Sequence, residues 1–278
     1  MSLEQAVAVA CDFEERSKRS SIPVRTAFVR SGLLLDAMQG DPPMATLLRG
    51  GRGGFVRIAT MLALIWRCSA EPYNTDIKAS AIARLWNLPS PDTNGARRVQ
   101  EALVALADRR LISVERHPGK QSTITLLDDA GTGGSYESPN KAYNTARRRK
   151  VKPAGLLRHN YFKVDANWWK SGQIQQLKGP GLAMLLILLS EDTPLRRETG
   201  IWISPSNFQQ RYGLSVDTRK VGLKQLQDLK LVSASAQLQQ DVFVQSRRRV
   251  FYELADPRAL HAKRPMVPTG ENGFDNDF

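Results

Sequence analysis

The sequence predicts an α+β fold, mainly helical, made of two winged helix-turn-helix domains in tandem. Two segments share one element order: an apolar helix, a short helix, a turn, a helix with a leucine face, then a β-hairpin. Leu103, Leu106, Leu111, Ile112 and Ser113 match Leu223, Leu226, Leu231, Val232 and Ser233 at a constant offset of 120 residues. Between Leu88 and Leu214 the offset is 126, so the first copy has the longer turn.

Residues 1–50 read as an N-terminal extension, with a short helix from Leu3 to Arg16 and a basic stretch from Lys18 to Arg25. GGRGG at 50–54 is a hinge that opens the first domain, 51–128. In that domain Phe55 to Cys68 is an apolar helix, Lys78 to Trp86 a short one, and NLPSPDTNG a turn. Ala96 to Arg110 is helical, with Val99, Ala102, Leu103 and Leu106 on one face. Leu111 to Arg116 alternates as a strand, HPGKQ turns, and Ser122 to Leu127 returns. Residues 129–160 read as a flexible basic linker. In the second domain, 161–256, Gly181 to Leu189 is the apolar helix and Ile201 to Ile203 a short strand. Ser204 and Pro205 have the chemistry to start a helix that Gly213 closes. SVDT leads into a helix reaching Leu229, and Leu231 to Leu238 pairs with Arg249 to Leu254. Residues 257–278 lack apolar periodicity and read as a disordered tail.

Charge is the strongest compositional signal. Forty Lys and Arg against 27 Asp and Glu leave +13, with a sequence pI near 10.0. Such an excess predicts a polyanionic partner, because each neutralised phosphate releases a condensed counterion. Charge alone also fits a basic soluble protein or one held on anionic lipid. Cys11 and Cys68 are too few for a disulfide framework and suit a reducing compartment. The N-terminal MSLEQAVAVACDFEERSKR lacks an unbroken apolar run and is not expected to act as a secretory signal. GLAMLLILL falls short of the roughly 20 apolar residues that cross a bilayer. The expectation is a cytoplasmic, nucleoid-associated protein without a membrane partner, for which homo-oligomers are allowed but not required. His117, His159 and His261 fall in a wing, a linker and a tail, and no GxSxG, P-loop, HExxH or CxxC pattern occurs. No catalysis, cofactor or metal is expected.

In a winged helix the third helix projects its N-terminal end toward a major groove about 12 Å wide, and the hairpin sets cations against phosphates. On a wheel centred on Val99, Arg97 and Glu101 point away from the core, with Arg98 and Gln100 on its flanks. Arg pairs with guanine, Gln with adenine and Glu with the cytosine amine, so these four are the candidate reading set. Arg97 and Glu101 also have the spacing of an ordinary surface ion pair. Arg116 and Lys120 are candidate contacts on the first wing, with His117 at its base. The second copy offers Thr218, Arg219, Lys220 and Lys224. Arg219 stands four before Leu223, where a core residue is expected, so its stem should pack and leave only its head free. Arg247, Arg248 and Arg249 at the return of the second hairpin are candidate phosphate contacts. So are Arg147, Arg148 and Arg149 in the linker, which would act as a tether carrying no sequence information. Two unlike units in one chain favour direct rather than palindromic repeats as the target.

TNGARRVQEAL, then DRRLISVERHPG and a return strand, resembles a winged-helix half found in helix-turn-helix proteins of actinobacteria and their mobile elements. YFKVDANWWKSG, GPGLAMLLILL and RYGLSVDTRKVGLKQL are similar to the partner domain of the same proteins. The likeness covers about residues 50 to 255 and implies the tandem winged-helix fold, DNA binding and a bacterial, element-borne setting. Two winged helices in one chain is also the architecture of iteron-binding plasmid replication initiators, though no motif peculiar to them occurs. The expected function is sequence-specific double-stranded DNA binding of the transcription-regulator type. One alternative is a plasmid or mobile-element replication or partition initiator. Another, from a different class, is a protein-interaction scaffold, against which Arg97, Arg98 and Lys220 argue.

Overall fold

A computed structural model describes residues 1–33, 40–49, 51, 53–241 and 244–262, with the backbone alone at 153–154, 239–241, 244–247 and 261–262. The chain is α+β and mainly helical, with small antiparallel sheets. It opens with α1 (Leu3–Ser17), whose cap is reciprocal: Ser2 Oγ accepts from the Gln5 amide while the Gln5 side chain accepts from the Ser2 amide. Ala6, Ala10 and Phe13 bury one face of it. Next come β1 (Ser21–Arg25), the one-turn α2 (Thr26–Val29) and α3 (Pro43–Leu48). The described residues of the N-terminal segment thus pack into the body of the protein, with Phe28, Met44 and Leu47 fully buried.

The apolar run becomes α4 (Gly54–Arg67), buried around nearly its whole circumference. Gly54 is required at its start, because a Cβ there would collide with the Leu48 carbonyl. After it follow β2 (Asn74–Thr75) and α5 (Ala79–Leu85). The expected turn at NLPSPDTNG is only half a turn: Pro91–Gly95 winds as a π-helical turn straight into α6 (Ala96–Asp108). β3 (Ile112–Glu115) and β4 (Thr123–Leu126) form the hairpin, and β2 adds to its far edge in the order β2-β4-β3.

The segment expected to be a flexible linker is structured. α7 (Pro139–Arg148) buries Ala142 and Ala146, one turn apart, and α8 (Pro153–Leu156) follows. Two small residues carry that contact, which is why composition alone read as polar. β5 (Tyr161–Asp165) pairs antiparallel with β1, and α9 (Asn167–Lys170) follows it.

The second apolar helix is α10 (Gly179–Glu191), followed by α11 (Pro194–Thr199) and α12 (Phe208–Tyr212). α12 begins later than the Ser204-Pro205 signal predicts. The Ser204 hydroxyl pairs with Ser206 Oγ at 3.0 Å, and Asn207 takes the cap position. The expected strand at 201–203 is reduced to one bridge, Ile201 to Tyr252. Gly213 closes α12 at φ 65°, as its chemistry predicts. α13 (Val216–Asp228) matches α6 residue for residue in length, 13 each. Both end the same way, with Arg110 and Lys230 at φ 54° and 56°, and Leu111 and Leu231 amides bonded back to Leu106 and Leu226. β6 (Val232–Asp241) and β7 (Val244–Leu254) make a hairpin longer than its apolar alternation predicts. Residues 257–262 of the expected tail form α14 (Pro257–Ala262) against α9. Residues 263–278 lie outside the described residues. No helix among the described residues is long and apolar enough to cross a membrane.

One contiguous core joins both segments, from Ala10 to Tyr252. Trp169 of α9 touches Trp66 of α4 and Trp86 beyond α5, with ring centroids 5.0 and 5.3 Å away. The loop before α7 is anchored by a buried ion pair: the Arg25 guanidinium meets Asp129, whose other oxygen accepts from the Arg25 amide at 2.9 Å. Burial pushes the Asp129 carboxyl up, and Arg25 opposes that shift. Arg25 also donates to the Glu137 carbonyl and lies over the Tyr136 ring. Removing one partner strands the other charge, so Asp129→Ala should lower unfolding free energy by about 3–5 kcal/mol in urea titrations. A loss below about 1 kcal/mol would show that the loop does not depend on this pair.

Candidate nucleic-acid interface

Val99, Ala102 and Leu106 anchor α6 against α4 and α5, which fixes its opposite face outward. That face carries Arg97, Gln100, Glu101 and Val104, all exposed. Arg97 pairs with Glu101 as the i, i+4 spacing allows, with both side chains more than half exposed. An exposed helix pair is worth only about 0.3–0.5 kcal/mol, so a phosphate or guanine edge can displace it cheaply. Arg98 is half-buried and leans toward α4. There it joins Arg57, Arg97 and Arg109 around a cleft of about 590 Å³ whose one carboxylate among the described residues is Glu101. Arg57 donates to the carbonyls of Leu47 and Arg49 at 2.8 and 2.6 Å. Burial first, and then Arg109, lowers its pKa, as expected where cations crowd.

Arg57 and Arg109 are cations that the sequence reading missed. Arg57 is the one charge between Phe55 and Ile65, an available signal inside an otherwise apolar run. Arg109 sits at the end of α6 and gives none.

On the other side of α6 lies a groove of about 720 Å³ toward the hairpin. Leu103, Val104 and Val114 are among its apolar lining, with Arg97 and Arg116 at its margins. Arg116 and Lys120 are exposed at the hairpin, and His117 bonds Thr123 Oγ1 at 3.1 Å, a wing-base role.

In the second copy Ser215 caps α13, its Oγ accepting from the Thr218 amide at 3.1 Å. Thr218 is half-buried and its hydroxyl meets that of Ser215. Arg219 is turned inward: its guanidinium lies 5.7 Å from the Phe208 ring centroid and donates to the Ile203 carbonyl at 3.3 Å. It holds the protein together more than it faces a ligand, because its helix position belongs to the core stripe. Lys220 is exposed, and Lys224 reaches Asp228 at 3.3 Å. Arg248 is exposed, whereas Arg249 is half-buried over Trp202 at 4.4 Å. The Arg247 side chain falls outside the described residues.

Arg147 and Arg148 end α7 and Arg149 caps it, all exposed, where cations favour the helix dipole. They form a fixed helix end rather than a loose tether, and they do not line the clefts beside α6. Arg98 and Thr218 line one depression of about 500 Å³ with Lys178. No group of His, Cys, Asp and Glu among the described residues is placed to hold a metal ion.

Arg219→Ala should lower stability by roughly 1–2 kcal/mol, from the lost ring contact and hydrogen bond. Lys220→Ala should stay within about 0.5 kcal/mol of the parent. Thermal melts of both variants check this, and equal losses would contradict the inward placement of Arg219. No protein-family model, no curated protein and no solved structure matches this chain.

Proposed function

We propose that this chain is a non-enzymatic, sequence-specific double-stranded DNA-binding protein. In this reading residues 54–126 and 179–254 are winged-helix units, α6 and α13 are the reading helices and the two hairpins are wings. The observation that carries the reading is the cationic first half of α6. Arg97 and Arg98 stand at its N-terminal end with Gln100 and Glu101 outward, and Arg57 and Arg109 flank them. Such a cluster is costly without a polyanion and gains from one, since each phosphate it neutralises releases a counterion. The strand order β2-β4-β3 beside α4, α5 and α6 supports the winged-helix reading of the first unit. The second unit has the three helices and the hairpin, with Ile201 touching β7 where a first strand would lie.

The same contacts serve a transcription regulator or a replication or partition initiator of a plasmid or mobile element. The two differ in where the site lies on the DNA. Genome-wide crosslinking separates them, because promoters and origins are distinct addresses.

Binding to random duplex should fall with salt, at a slope of about −0.9 per neutralised phosphate and with several phosphates engaged. A flat response would favour a protein scaffold. Arg97→Ala and Arg98→Ala should each weaken binding to the selected site by roughly 1–3 kcal/mol and weaken random-duplex binding less. Equal losses on both DNAs would make them phosphate contacts. Neutralising Arg147, Arg148 and Arg149 together should lower affinity uniformly across sequences and flatten the salt slope. A changed sequence preference would contradict that role.

A further inference from the structure

We infer that the chain contains its own two-fold axis, so that a single copy engages DNA with its two half-sites inverted about a centre. This rests on the DNA-binding reading above and replaces the direct-repeat arrangement that two unlike units suggest from sequence alone.

Three separate regions place the axis. The first is the β1–β5 pair. Ser21 lies opposite Asp165 and Arg25 opposite Tyr161, so the pairing centres on Pro23 opposite Lys163. The Thr26 amide donates to the Asn160 carbonyl, and the Ala166 amide donates to the Ser20 carbonyl, both at 2.8 Å. These bonds exchange with each other when residues 20 and 26 are swapped for 160 and 166. Each strand then leads into a one-turn helix, α2 or α9. An antiparallel pair of equivalent strands is a local dyad by its geometry.

The second region is the start of the two apolar helices. A Cβ on Gly179, which opens α10, would lie 2.8 Å from Leu48 Cδ1 and 3.6 Å from the Phe55 amide nitrogen at the start of α4. The third is the depression shared by Arg98 and Thr218. These two residues hold the same position in α6 and α13, three into each helix. Equivalent points of two copies touch only near the axis that relates them. The strand pair and the helix starts define that axis, the shared depression lies where it passes, and the antiparallel strands fix the rotation near 180°.

The consequence is positional. α6 and α13 both open toward the depression near the dyad, which Lys178 also lines. They therefore present their reading faces to a duplex in opposite orientations, as the two subunits of a symmetric dimer do. The half-sites differ in sequence, because Arg97, Arg98, Gln100 and Glu101 in one unit correspond to Asp217, Thr218, Lys220 and Val221 in the other. The symmetry is hidden in the sequence of the target and visible in its geometry.

Grafting the first set onto the second helix unmasks it. The variant carries Asp217→Arg, Thr218→Arg, Lys220→Gln and Val221→Glu, all at exposed or half-buried positions, and leaves Arg219 in place. Circular dichroism and a thermal melt first establish that it is folded. Site selection from a random duplex pool should then return an inverted repeat, bound at one chain per duplex. Reversing one half-site of that repeat should weaken binding at least tenfold. Enrichment of a direct repeat, or of a single half-site, overturns the dyad while leaving DNA binding intact. Hydroxyl-radical footprints of the parent chain give a second reading, with protection on the two strands related by a two-fold about the centre. A footprint without that relation also overturns the inference. Failure of the parent chain to bind any duplex at low salt removes the DNA-binding reading itself.

Discussion

Everything in this fold answers to two helices that are apolar all round. α4 and α10 are buried around nearly their whole circumference, α4 reaching solvent only through residues such as Arg57, and a helix of that kind is stable only when covered on almost every side. Each apolar side chain taken out of water contributes about 1.5–3 kcal/mol, so covering both dominates the energetics. α6 covers α4, α13 covers α10, and the two apolar helices touch at their starts. The remaining sides are closed by α1, α3, β1 and β5. The N-terminal segment is thus part of the walls of the core.

That covering arrangement sets where charge can go. The inner faces of α6 and α13 are committed to packing, which forces their polar residues to the opposite side. In α13 the commitment is tighter. Gly222 lets the backbone of α13 come against Pro180 and Met184 of α10, where α6 has Ala102. Arg219 fills the core-stripe position that Val99 holds in α6, and it does so through Phe208 and the Ile203 carbonyl. The second unit therefore commits one third-helix cation to packing, whereas Arg97 and Arg98 of the first unit both line an open cleft.

The buried pair of Arg25 and Asp129 belongs to a different logic. It ties the end of β1 to the segment after β4, and so connects the strand seam to the first hairpin. A hydrophobic pair would fill the same space at less desolvation cost, but the ion pair admits one geometry only. Glu191 plays a similar part at the end of α10, where Tyr212, Arg211 and Arg196 converge on its carboxylate. Tyr212 is held protonated far above its usual range by burial and by Glu191. These two hubs fix the outer elements on a core that apolar contacts alone would leave free to slide.

By itself the sequence determined the local elements whose signals are contained within one or two turns. The leucine faces of α6 and α13, the glycine that ends α12, the Pro-Gly turn of the first hairpin and the net charge of +13 were all legible, because periodicity, backbone permissiveness and charge are properties of neighbours in the chain. The outward placement of Arg97 and Glu101 followed from the same periodicity. What only the tertiary structure decided were relations between distant residues. These include the antiparallel seam of β1 and β5, the depression that Arg98 shares with Thr218, the recruitment of Arg57 and Arg109, and the helix made of 139–148. Apart from the lone charge of Arg57 in its apolar run, none leaves a trace in local pattern. An antiparallel pairing has no sequence register of its own, and two alanines bury a helix as well as two leucines when a partner surface is close. The reason is that burial depends on which surfaces the whole chain brings together.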